Sequence, residues 1–73
     1  MRVRIRLDTL SDITNFVKSI NGVAEEVTLT DSNKLRVSGK SLIGAIYTME
    51  WDKIYCECDK DIYSQIKDYV IEE

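Results

Sequence analysis

Four runs of this chain alternate between apolar and polar residues, and each run is apolar on one side only. That pattern limits the possible folds more than any other feature. In residues 2–7, Arg2, Arg4 and Arg6 fall on one face and Val3, Ile5 and Leu7 on the other. Residues 25–30 bring Val27 and Leu29 to one side, and residues 34–38 do the same with Leu35 and Val37. Residues 53–58 set Ile54, Cys56 and Cys58 against Tyr55 and Glu57. A period of two is that of a strand. A strand with a single apolar face covers one side of a core, so these runs predict an antiparallel sheet with its other side open to water.

Between the strands the period changes to that of a helix. Leu10, Ile13, Phe16, Val17 and Ile20 predict a helix over 10–20. Thr9 with Asp12 forms a capping box at its start, and Gly22 stands where a C′ glycine belongs. Asp31, Ser32 and Asn33 are turn formers between the second and third strands. A short helix is expected from Ser41 to Met49, weakened by Gly44 and the β-branched Ile43 and Ile46. Ile62, Ile66, Tyr69 and Val70 mark a last helix over 61–72, opened by Asp59 and Asp61. The order is β-α-β-β-α-β-α. The expected fold is α+β: a two-layer open-faced sandwich, a four-stranded antiparallel sheet covered on one face by three helices. The expected core is Val3, Ile5, Leu7, Ile13, Phe16, Val17, Ile20, Val27, Leu29, Leu35, Val37, Ile46, Ile54, Cys56, Ile62, Ile66 and Val70.

A length of 73 residues allows one small domain, so residues 1–73 are read as a single unit. Hydrophobic residues make up 44% and charged residues 32%, a globular balance rather than a disordered one. A net charge of −3 argues against nucleic acid as a partner. No apolar run is long enough to cross a bilayer and no signal-type segment follows the N-terminus, so a cytoplasmic protein without membrane contact is expected. Cys56 and Cys58 read either as a C-x-C redox or metal pair or as core thiols. Neighbours on one strand face lie roughly 6.5–7 Å apart, too far for easy bridging, and a metal would need ligands beyond a chain with no histidine and no third cysteine. The core reading is preferred, with no metal and no cofactor. No Ser/His/Asp set and no phosphate loop is present, so no catalytic residue is assigned and no enzyme activity is expected.

One segment carries more specific information. Gly39-Lys40-Ser41-Leu42-Ile43-Gly44-Ala45-Ile46 ends a strand, places a serine at a helix N-cap and continues into a short apolar helix. It is similar to the K-S-I-M-G-V-M type of segment in the histidine-containing phosphocarrier proteins (HPr) of the sugar phosphotransferase system. A ferredoxin-like fold shares part of the element order, but the short second helix and a longer third helix resemble HPr instead. The resemblance implies that the first strand lies beside the last, with Arg2, Arg4 and Arg6 across from Tyr55, Glu57 and Asp59. It implies that Ser41 is a candidate for regulatory phosphorylation as well as an N-cap. It also implies that Leu42, Ile43 and Ile46 are candidates for partner binding, with one or two apolar side chains exposed; Lys40, beside Ser41, is a further partner-binding candidate from its own charge, placed to attract an acidic or phosphorylated contact.

The chain departs from that family in the loop after the first strand. Where relatives carry a segment like G-I-H-A-R-P, this chain reads Asp8-Thr9-Leu10-Ser11-Asp12, and it contains no histidine. The phosphoryl acceptor and its arginine are both missing, and the acidic pair repels a phosphoryl group. The expected function is therefore an HPr-like regulatory or protein-interaction module that carries no phosphate on histidine and acts through the Ser41 helix. Its partners would be a phosphotransferase-system enzyme, a serine kinase or a regulator. The alternative is an unrelated α+β binding module or assembly subunit that uses its open sheet face. The residues leave the oligomeric state open.

Overall fold

The computed structural model describes residues 1–31 and 35–71. Ser32 and Asn33 of the expected turn, the first residue of the expected 34–38 strand and the last of the 61–72 helix lie outside the described residues. The elements are β1 (Arg2–Ile5), α1 (Leu10–Ile20), β2 (Val27–Thr30), β3 (Arg36–Ser38), α2 (Leu42–Tyr47), β4 (Ile54–Cys58) and α3 (Tyr63–Ile66). Short 3₁₀ turns follow α2 over Thr48–Glu50 and α3 over Lys67–Tyr69. The four strands form one antiparallel sheet in the order β1-β4-β2-β3, with helices on one face. The first strand pairs with the last: Arg2 faces Glu57, Val3 faces Cys56, Arg4 faces Tyr55 and Ile5 faces Ile54. No helix among the described residues is long and apolar enough to cross a membrane.

α1 is the main cover of the sheet. Its capping box is complete: the Asp12 amide donates to Thr9 Oγ1 at 3.0 Å, and the Asp12 carboxylate accepts from the Thr9 amide at 3.3 Å. Ile13, Phe16, Val17 and Ile20 recur on one side and are all buried against Ile5, Val27, Leu29, Ile54, Cys56, Ile62 and Ile66. Phe16 also meets the ring of Tyr69 edge-on, centroids 5.5 Å apart.

The third helix is much shorter than the 61–72 expected from its apolar spacing. It closes after one turn at Ile66, tightens into a 3₁₀ turn and gives way to an extended segment. The reason lies on β1. The Arg6 amide donates to the Tyr69 carbonyl at 2.8 Å, the Ile71 amide donates to the Arg4 carbonyl at 3.0 Å, and Val70 bridges Ile5. The outer edge of β1 needs partners for its backbone groups, and the β-branched Val70 and Ile71 suit an extended conformation better than a helix.

The core also differs at its rim. Leu35 is exposed, because it precedes the edge strand β3 and has no neighbouring strand beyond it. Ile46 is exposed because α2 turns Ala45, not Ile46, to the core. Val3, Val37 and Val70 are half-buried, packed against the core's periphery. Val23, Ala45, Cys58, Thr30 and Thr48 are buried in addition to the expected set. The Thr48 hydroxyl donates to the Ala45 carbonyl at 2.6 Å, which satisfies its polar group in the core.

Candidate functional site

The Ser41 helix begins where β3 turns back over the core. Gly39 is buried, and a Cβ there would stand 3.0 Å from Val27 Cγ1 and 3.2 Å from Ile20 Cδ1. A side chain there would have to push these neighbours back by a few tenths of an ångström, and the Gly39 amide donates to the Val27 carbonyl at 2.7 Å. Ser41 then adopts an extended conformation, and its Oγ accepts from the Gly44 amide at 3.1 Å. That is an N-cap, worth about 1 kcal/mol. Gly44, a poor helix former, has a local reason of the same kind as Gly39. A Cβ at Gly44 would lie 3.2 Å from the Ser38 carbonyl, so the glycine seats α2 tightly on the end of β3.

With Gly44 against β3 and Ala45 in the core, the larger side chains of α2 must face outward. Leu42 is 44% exposed, Ile43 72%, Ile46 39% and Tyr47 61%, with Met49 at 47% just beyond. All three of the apolar residues singled out in the sequence are exposed, rather than one or two. Ala45 and Thr48 do the covering instead. No charged residue occurs from 41 to 49, so this face is apolar and uncharged. Tyr47 adds to the patch beyond the residues expected from the sequence, and its place four residues after Ile43, on the same helix side, is the signal that points to it.

Lys40 is placed differently from the other four candidates. It is half-buried, and its ammonium donates to the Val23 carbonyl. Its charge ties the end of β3 to the loop after α1 and is not turned toward the apolar face. Ser41, Leu42, Ile43 and Ile46 form one surface; Lys40 braces it from behind.

The loop after β1 holds its acidic pair in structural contacts. Arg6 Nε lies 2.9 Å from an Asp8 oxygen, a partner that sequence spacing did not suggest. The Asp12 carboxylate accepts from the amides of Asp8 and Thr9. Asp68 comes in from the far end of the chain, and with Asp8, Asp12, Arg6 and Tyr69 it lines an open cleft of about 520 Å³. Three carboxylates against one guanidinium make this cleft unfavourable for an anion. Tyr69 holds its proton above the ordinary phenol range because of burial first, then the nearby Asp12 and Asp68 charges.

On the open side of the sheet, Glu57 is the hub. Its carboxylate accepts from Arg2 Nε at 3.0 Å and Arg36 at 2.9 Å, and from the Thr30 hydroxyl at 3.3 Å. The Arg2 bond, followed by the Arg36 charge, holds it below the ordinary carboxylate range. The Arg2 guanidinium also lies 3.9 Å from the Tyr55 ring centre. The expected partnership of the arginine stripe with Tyr55 and Glu57 is therefore present. Asp59 lies past the end of β4 and outside the pairing, and Arg6 turns to Asp8 instead.

Cys56 and Cys58 are free thiols buried on the core face. Burial pushes the Cys56 thiol up to about 12, with the neighbouring Cys58 adding to the shift. A thiol held protonated this firmly is a poor nucleophile and a poor metal ligand. Comparisons of the chain with protein-family models, with curated proteins and with solved structures find no match.

Proposed function

We propose that this chain is an HPr-like interaction module of the cytoplasm that docks a protein partner on the outer face of α2 and carries no phosphoryl group on histidine. The observation that carries the reading is the inverted burial of α2. Its small residue Ala45 is inside, while Leu42, Ile43, Ile46 and Tyr47 are outside. Four large apolar side chains on one short helix cost solubility unless a partner covers them, and such a patch is the mark of an interface. The strand order β1-β4-β2-β3, the short α2 and the capped Ser41 support the resemblance to HPr. The carboxylate-lined cleft after β1 supports the absence of phosphocarrier chemistry. Phosphate on Ser41 Oγ would place two negative charges beside Leu42 and weaken apolar docking without disturbing the core.

The test has two arms. Incubation with phosphoenolpyruvate and the general enzyme of the phosphotransferase system is expected to leave the protein unmodified; acid-labile phosphate on it would defeat the reading. Leu42→Ala and Ser41→Asp variants, each checked for folding, are expected to lose capture of phosphotransferase-system enzymes or their regulators. Undiminished capture of those proteins by both folded variants would show that α2 is not the docking face.

A further inference from the structure

The outer face of α2 has a shape as well as a composition. On a helix, residues four apart line up as ridges, with grooves between them. Leu42 and Ile46 make one ridge and Ile43 and Tyr47 the next, so a single groove runs between the two. Met49 follows in the 3₁₀ turn, three residues after Ile46. Gly44 and Ala45 take the opposite side, against β3 and the core. At about 200 Å² for a large side chain, the exposures of these five residues leave roughly 500 Å² of apolar surface in water. That is about a tenth of the 4721 Å² surface of the chain, the share that an interface takes of a small protein.

Resting on the reading of α2 as a docking face, we infer that this face seats the α2 face of a second copy, so that self-association and partner docking exclude each other. Two ridges around one groove are self-complementary. A two-fold axis through the contact lays one ridge of each copy in the groove of the other, and the same patch serves both, as an isologous contact requires. The area agrees: two copies bury about 1,000 Å² together, the lower bound for a specific interface and the size of a weak, reversible one. Charge agrees as well. Two chains of net charge −3 repel each other, and the contact that spares them like charges face to face is an uncharged one. Residues 41 to 49 carry no charge, and the Lys40 ammonium at their start is tied back to the Val23 carbonyl. A charged partner, by contrast, would have to strip water from its own ions against this surface and find no counter-charge there.

The experiment uses the purified chain alone, with no other protein present. Sedimentation is expected to show a monomer at about 1 μM and a dimer at about 1 mM, as a small interface predicts. Raising the ionic strength from about 0.1 M to about 1 M should strengthen the dimer, because salt screens the repulsion between the chains and leaves the apolar contact in place. Tyr47→Ala is expected to weaken self-association about tenfold, and Ile43→Glu, which sets two carboxylates against each other, about a hundredfold or more. Amide spectra check that both variants are folded. In the parent, amide shifts over residues 42–49 should move with concentration while those of Arg2, Tyr55 and Glu57 on the open sheet face stay still. A parent that is monomeric at about 1 mM overturns the inference. So does a dimer that Ile43→Glu leaves intact, one that salt dissociates, or one whose shifts fall on the open sheet face. The docking reading is judged apart, by partner capture from dilute solution where the chain is a monomer. Capture by a chain that never dimerises overturns the inference alone, and a dimer of the expected kind upholds it even where no partner is captured.

Discussion

The two helices α1 and α2 are both apolar, yet they use their apolar residues in opposite ways. α1 buries Ile13, Phe16, Val17 and Ile20, and of its large apolar residues only Leu10, in the first turn, is exposed. α2 buries Ala45 and exposes Leu42, Ile43, Ile46 and Tyr47. α1 has 11 residues and three turns, enough to lay a full stripe along the sheet. α2 has six residues and is pulled against β3 by Gly44, so the part of it that reaches the core is a small side chain. Composition alone does not tell a covering helix from a presenting one. Length and closeness of seating do.

The largest effect should come from emptying the α1 side. Phe16→Ala removes a ring that is fully buried and packed on Tyr69, and is expected to cost about 3–5 kcal/mol, a large part of the stability of so small a domain. Denaturant melts would show it. A loss below about 1 kcal/mol would mean that α1 is not the principal cover.

A smaller effect sharpens the view of the core under α1. The Cys56 thiol is raised from 9.0 to about 12 in the folded chain. Above pH 9 the unfolded chain gives up this proton and the folded one keeps it, so the unfolded state binds fewer protons. Stability is therefore full below pH 9 and falls as pH rises toward 12, with a slope of about 1 kcal/mol per pH unit at its steepest. Urea midpoints measured through that window should decline, and Cys56→Val should flatten the decline. An equal decline in the variant would assign the slope to other groups.

The smallest effect is expected on α2. Ile43→Ser alters a side chain that is 72% exposed, so stability should change by no more than about 0.5 kcal/mol while docking through that face is lost. A cost above about 2 kcal/mol would break the contrast between the helices, because it would make Ile43 a core residue after all.

The element order, the one-sided strands, the capping box of Thr9 and Asp12, the cap at Ser41 and the inward thiols of Cys56 and Cys58 are legible in the residues alone. These follow from local periodicity and from hydrogen bonds that span three or four residues. The early end of α3 comes from long-range pairing, because the pull on Val70 and Ile71 is exerted by the outer edge of a strand more than sixty residues away. Packing also sets which side of α2 faces the core, since that depends on how near Gly44 comes to Ser38. Lys40 looked like a charge beside the apolar anchor and became a tether to Val23. Arg36 and Glu57 are 21 residues apart, and their ion pair exists only because β3 and β4 both flank β2. Periodicity states which face of a strand or helix is apolar. How closely two elements approach, and which edges remain to be paired, is fixed by the packing of the whole chain, and that is where the exposed surfaces of this protein arise.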